Sequence, residues 1–78
     1  MRYRDLIRNT VATIVREKMG RSSAVELIKQ QAHEHVVSDA QARFVEVVEI
    51  EIMSLHDGNI ARYRLRPSEY EDWRTNWR

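Results

Sequence analysis

Residues 39–57, DAQARFVEVVEIEIMSLHD, constrain this chain more than any other stretch, because the large apolar residues concentrate there and a clear stop follows. Wound as an α-helix, Phe44, Val45, Val47, Val48, Ile52 and Leu55 share a broad face, while Ile50 and Met53 fall outside it. A helix that is apolar nearly all round is covered on more than one side, as at the centre of a bundle. Ser38 can cap its start, Gln41 completes a capping box, and Val37 can staple onto Ala42. Gly58 suits the left-handed position after the last turn. Against this, Val48-Glu49-Ile50-Glu51-Ile52 alternates with period two and is rich in β-branched residues, which is how a half-buried strand reads. Signals at both ends and the length of the stretch favour a helix over a strand of about 5–6 residues.

The remainder must pack on that stretch, for 78 residues make one domain near the size at which a single core only just suffices. The chain has no cysteine, which excludes disulfides and thiolate metal sites and gives no sign of an oxidising compartment. The opening MRYRDLIRNT is basic but soon interrupted by polar residues, and no apolar run approaches the ~18 residues needed to span a bilayer. A cytoplasmic protein without a membrane partner is the expectation. The net charge of +1 conceals a segregation: residues 1–21 carry +4, residues 22–57 carry −5 and residues 58–78 carry +2. Basic ends can fold against an acidic middle, each exposed pair contributing under about 1 kcal/mol. Alternatively, one face presents a basic patch to nucleic acid or to an acidic protein.

Taken in order, Tyr3 to Lys18 reads as an amphipathic helix with Tyr3, Leu6, Ile7, Val11 and Ile14 on one stripe, closed by Gly20. Ser23, with Glu26, opens a second helix that buries Ala24, Leu27, Ile28, Ala32 and Val36. A short joint over residues 35–38 leads into the central helix. After Gly58, the alternation of Ala61, Tyr63 and Leu65 with Ile60, Arg62 and Arg64 predicts an extended connector. Pro67 starts a short last helix, with Ser68 and Glu71 as a capping box and Tyr70, Trp73 and Trp77 on one side. The whole is an all-α domain over residues 1–78, a small four-helix bundle around the central helix.

Chemistry-bearing residues converge poorly. His33 and His35 stand two apart and point away from each other on a helix, and Val37 occupies the position where a zinc-protease pattern needs histidine. Ser22, Ser23, Ser38 and Ser68 lie at helix starts, where capping accounts for them. Glu46, Glu49 and Glu51 spread around their helix axis. No enzyme, no cofactor, no metal and no small-molecule substrate is implied. Glu51 alone falls within the apolar arc, between Val47 and Leu55, where an unpaired carboxylate would cost several kcal/mol. An arginine from Arg62-Tyr63-Arg64 is its natural partner, which would latch the C-terminal segment onto the central helix. The tail interleaves Arg62, Tyr63, Arg64, Arg66, Trp73 and Trp77, residue types that dominate interface hot spots and stack on bases. They are the candidate partner-binding set, with Tyr70 and Trp73 also readable as core and Trp77 the most available. Ile50 and Met53, off the main face, are the candidate self-association residues of a homodimer. Glu46, Glu49 and Glu51 oppose phosphate, so a nucleic-acid partner would have to be met by Arg2, Arg4 and Arg8 or by the arginine tail.

The segment LHDGNIARYRLRPSEY, residues 55–70, resembles the C-terminal part of short, uncharacterised helical proteins of bacterial phages, prophages and integrative elements. The resemblance implies a mobile-element accessory protein that binds and modulates another macromolecule, inhibitors of host complexes being one such class. The expectation is therefore a non-enzymatic protein-binding accessory or regulatory module. A nucleic-acid-binding factor that uses its basic termini is the alternative.

Overall fold

A computed structural model describes residues 2–78. The helices are α1 (Tyr3–Arg16), α2 (Arg21–His35), α3 (Gln41–His56) and α4 (Pro67–Asn76), with single 3₁₀ turns at Ser38–Ala40 and Ala61–Tyr63 and no strand among the described residues. The alternating segment 48–52 is helical. Within α3 the buried residues are Phe44, Val48, Ile52 and Leu55, a stripe at helical spacing, and Ile50 drops out of it. A strand there would need a second strand to pair with, and no other segment supplies one.

Hydrogen bonds explain where the helices stop. Both α1 and α3 end in a Schellman motif. In α3 the Gly58 N–H donates to Leu55 O at 2.9 Å and the Asn59 N–H to Ser54 O at 3.2 Å, with Gly58 at φ 112°. In α1 the equivalent bonds run from Lys18 N–H to Val15 O at 3.1 Å and from Met19 N–H to Ile14 O at 3.0 Å. Lys18, at φ 53°, therefore takes the left-handed position expected of Gly20. Packing decides the register: this turn tucks Met19 against the core beside buried Ile14, whereas a stop at Gly20 would put Arg21 there. Gly20 is instead the extended residue before α2, at φ −77° and ψ 176°.

Three expected caps are displaced for local reasons. Ahead of α2, the Arg21 N–H donates to Arg78 O at 3.3 Å, and the helix starts two residues before Ser23. Ser38 opens a 3₁₀ turn, and Gln41 Nε2 donates back to Val36 O at 2.9 Å. Val37, 70% exposed, makes no staple with the exposed Ala42. Pro67 lacks an N–H and fits the first position of α4, which fixes extended Arg66 as the N-cap. The Glu69 carboxylate then accepts the Arg66 N–H at 3.3 Å, in place of a box from Ser68 to Glu71.

α1 and α3 share the centre of the fold. α1 lies against α2, α3 and α4, whereas α3 lies against α1 and α2. α4 reaches α3 at its C-terminal end, where the Tyr70 hydroxyl donates to His56 O at 2.9 Å and Trp73 meets the His56 ring edge-on. Because α4 docks on α1, the outer side of α3 stays open. The expected extended connector is corrected: it coils through the 3₁₀ turn at Ala61–Tyr63 and then through Arg64 in the left-handed region, at φ 49°. This compact turn brings α4 back over α1, and Trp73 becomes the largest fully buried side chain. Its indole Nε1 meets no acceptor among the described residues. Burying an aromatic of this size contributes about 4–6 kcal/mol, which outweighs the roughly 1–3 kcal/mol cost of the unpaired N–H.

The two glycines should respond differently to a methyl group. Gly58→Ala meets no neighbouring atom but must hold a left-handed backbone, so urea denaturation should show a loss of about 1–2 kcal/mol. Gly20→Ala places its Cβ 3.9 Å from Asn76 O on an extended backbone, and stability should stay within about 0.5 kcal/mol of the parent.

Candidate functional site

Glu51 is the most connected charged side chain of the molecule. Arg62 Nη1 donates to Glu51 Oε1 at 3.2 Å, and the Tyr63 hydroxyl donates to Glu51 Oε2 at 2.7 Å. The expected arginine is thus accompanied by a tyrosine. The carboxylate side chain is 24% exposed and the arginine 69%, so the ion pair is largely screened and contributes under about 1 kcal/mol. The shorter, half-buried bond from Tyr63 is the stronger of the two, in the range of about 1.5–3 kcal/mol for a hydrogen bond to a charged acceptor. Burial, and next the Glu51 carboxylate it donates to, push the Tyr63 hydroxyl well above the usual phenol range. It therefore remains a donor at physiological pH.

Around this contact lies an open cleft of about 650 Å³ between the first half of α1, α3 and the connector. Ile7 and Val47 line its apolar part, and Arg4, Arg8 and Arg62 supply three cations against the single Glu51. Arg4 and Arg8, one helical turn apart, are in no ion pair among the described residues. Tyr3 stands at the margin with its ring edge-on to Phe44. Chemically, the cleft suits an anion carried on an apolar or aromatic body.

A second surface has the opposite character. An apolar groove of about 250 Å³ runs between α2 and α3, bounded by Val25 and Ile28 on one side, Ile52 and Met53 on the other, and Trp77 at its end. Met53 is 42% exposed and, one turn away on the outer side of α3, Ile50 is 59% exposed. Arg43, Glu46 and Asp57 share that outer side, so the apolar pair sits among charges of both signs.

The expected partner-binding set does not hold together as one surface. Tyr63 is corrected to a core residue, and Trp73 follows its core reading; the compact connector and the docking of α4 on α1 enclose them. Trp77 is partly covered: its ring lies 5.3 Å from that of Trp73, and the Arg21 guanidinium stands 5.6 Å from its centroid. Arg64 and Arg66 are exposed, while Arg62 is held by Glu51. The cleft pairing of α1 arginines with Arg62 was not anticipated as one site, although Arg4 and Arg8 carry the i, i+4 spacing that puts both on one side of a helix.

Among the described residues no three His, Cys, Asp or Glu side chains are grouped to hold a metal ion. His33 and His35 are exposed on α2, and the imidazole of His56 packs on Trp73. Among the described residues no helix is long and apolar enough to cross a membrane.

Two outcomes test the Glu51 contact. Glu51→Ala, which leaves the Tyr63 hydroxyl without its acceptor, should cost about 1–3 kcal/mol in urea and speed tryptic cleavage after Arg64; Arg62→Ala should cost under about 1 kcal/mol. Equal effects would show that the ion pair, not the hydroxyl, holds the connector. The raised Tyr63 value also fixes a pH dependence. Because the folded protein keeps the proton longer than the unfolded chain, the contribution is fully present below the free phenol value of 10.0 and declines as pH rises beyond it. Tyr63→Phe should flatten the alkaline fall in stability relative to the parent, measured by denaturation across that range.

Compared with known proteins, the chain matches no family model, no curated protein and no solved structure.

Proposed function

We propose that this chain is a non-enzymatic protein-binding accessory or regulatory module, built as a small four-helix bundle and acting as a homodimer. The observation that carries this reading is the pair Ile50 and Met53, exposed side by side on the most apolar helix and continuous with the α2–α3 groove. Large apolar side chains gathered at the surface and bordered by charges mark an interaction face. A cytoplasmic setting suits a chain without cysteine, and the resemblance of residues 55–70 to phage and integrative-element proteins supports an accessory role such as inhibition of a host complex.

The cleft favours a second reading, nucleic-acid binding. Three arginines and a half-exposed tyrosine are elements that track a phosphate backbone and stack on a base. It ranks second because Arg62 is already engaged by Glu51, and because the acidic α3 borders the cleft.

Light scattering over a micromolar concentration series should show a dimer, and Ile50→Glu should convert it to a monomer with unchanged helical circular dichroism. A parent chain that stays monomeric would overturn self-association. Fluorescence anisotropy with a single-stranded oligonucleotide decides the second reading: tight binding that falls steeply with salt and is lost in Arg4→Ala/Arg8→Ala would favour it over the first.

A further inference from the structure

The outer strip of α3 is complementary to itself. Ile50 stands midway between Arg43 and Asp57, seven residues from each. Seven residues are nearly two full helical turns, so the three positions lie within about 40° of one another around the axis and about 10 Å apart along it. Glu46 and Met53 fill the intervals. All five side chains are exposed.

Both end charges are misplaced for an isolated helix. Arg43 sits in the first turn of α3, at the positive end of the helix dipole, and Asp57 is its C-cap, beside the unsatisfied carbonyls. Arg43 has only the exposed Glu46 carboxylate at 3.2 Å, and Asp57 is in no ion pair among the described residues. One arrangement relieves both at once. An antiparallel α3 from a second copy, centred on Ile50, sets Ile50 on its own equivalent and brings each Arg43 to the other copy's Asp57. Met53 then lies against the aliphatic stem of Glu46 of the second copy. A parallel arrangement would put Arg43 on Arg43 and Asp57 on Asp57, which like-charge repulsion opposes.

We propose that the strip Arg43, Glu46, Ile50, Met53 and Asp57 is the dimer surface and that two copies pair their α3 helices antiparallel, with the two-fold axis at Ile50. The inference rests on the homodimer reading and adds its geometry. Every contact but that of Ile50 with its own equivalent occurs twice and the pairing closes on itself, so it ends at a dimer. One helix pair buries less than a standard interface, so association in the micromolar range is expected.

The natural absence of cysteine makes the geometry directly readable. Ile50→Cys carries its single thiol on the axis, and mild oxidation should cross-link it faster than Val37→Cys, which is at least as exposed. Arg43→Cys mixed with Asp57→Cys should cross-link faster than either variant alone. Arg43→Asp and Asp57→Arg should each weaken the dimer about tenfold, by the loss of two pairs and the gain of repulsion, and the double variant should recover it. Each single change improves the match to the helix dipole, so a loss of dimer cannot be ascribed to a damaged helix. In a chain that light scattering shows to be dimeric, cross-linking at Ile50 no faster than at Val37, or faster self-linking of Arg43→Cys than of the mixture, would overturn the antiparallel pairing and leave the homodimer standing. A monomeric parent would overturn both.

Discussion

Burial of Trp73 is the interaction on which the rest of this structure depends, and the chain must reverse sharply after α3 to achieve it. Gly58 takes the left-handed turn that ends α3, the 3₁₀ turn at Ala61–Tyr63 shortens the path, and Arg64 adds a second left-handed residue before Pro67 starts α4. A non-glycine residue in that region costs about 1–2 kcal/mol, which the burial of a large aromatic exceeds. The bond from Tyr63 to Glu51 fixes the connector halfway along this path. Thus a carboxylate within the apolar arc of α3 ends up holding the segment that delivers the largest core residue.

The route taken by α4 also determines the character of the surface. Since α4 lies mainly on α1 and meets α3 only near its C-terminal end, the outer side of α3 remains open, with Ile50 and Met53 upon it. On the other flank, the connector brings Arg62 beside Arg4 and Arg8 and creates a basic cleft. One apolar surface and one cationic surface therefore flank the same helix. The proposed self-association through α3 would leave the arginine cleft free for a different ligand, so the two readings of function need not compete for one site.

Much of the architecture was legible because it depends on spacing and punctuation within one segment. The stop at Gly58, the start at Pro67, Phe44, Val48, Ile52 and Leu55 in α3 and Leu6, Val11 and Ile14 in α1 follow from local pattern, whereas Tyr3 is exposed and Val15 joins the core instead. The caps were read less well. Gly20 and Lys18 exchanged roles because burial of Met19, not glycine's freedom, fixed the turn. Ser23 and Ser38 lost theirs because α2 starts two residues earlier, at Arg21, and a 3₁₀ turn at Ser38–Ala40 precedes α3. The connector was read as extended from an alternation that a 3₁₀ turn and a left-handed residue produce equally well. For the candidate site, a carboxylate in an apolar arc signals its need for a donor, so Glu51 and Arg62 could be linked. Enclosure of Tyr63 could not, and that of Trp73 was one of two readings, because arginine-aromatic patterns look alike in a core lid and in an interface.

By itself the sequence determined the helical segments, the apolar stripes, the segregation of charge and the demand of Glu51 for a partner, all of which are properties of neighbours along one chain. Tertiary structure alone decided that α4 docks mainly on α1, that Tyr63 shares Glu51 with Arg62, and which aromatics are enclosed. The physical reason is that α4 could have covered either of two apolar faces. The stretch that first appeared central kept its place in the core but surrendered its outer side to solvent, and that uncovered side is where the proposed dimer forms.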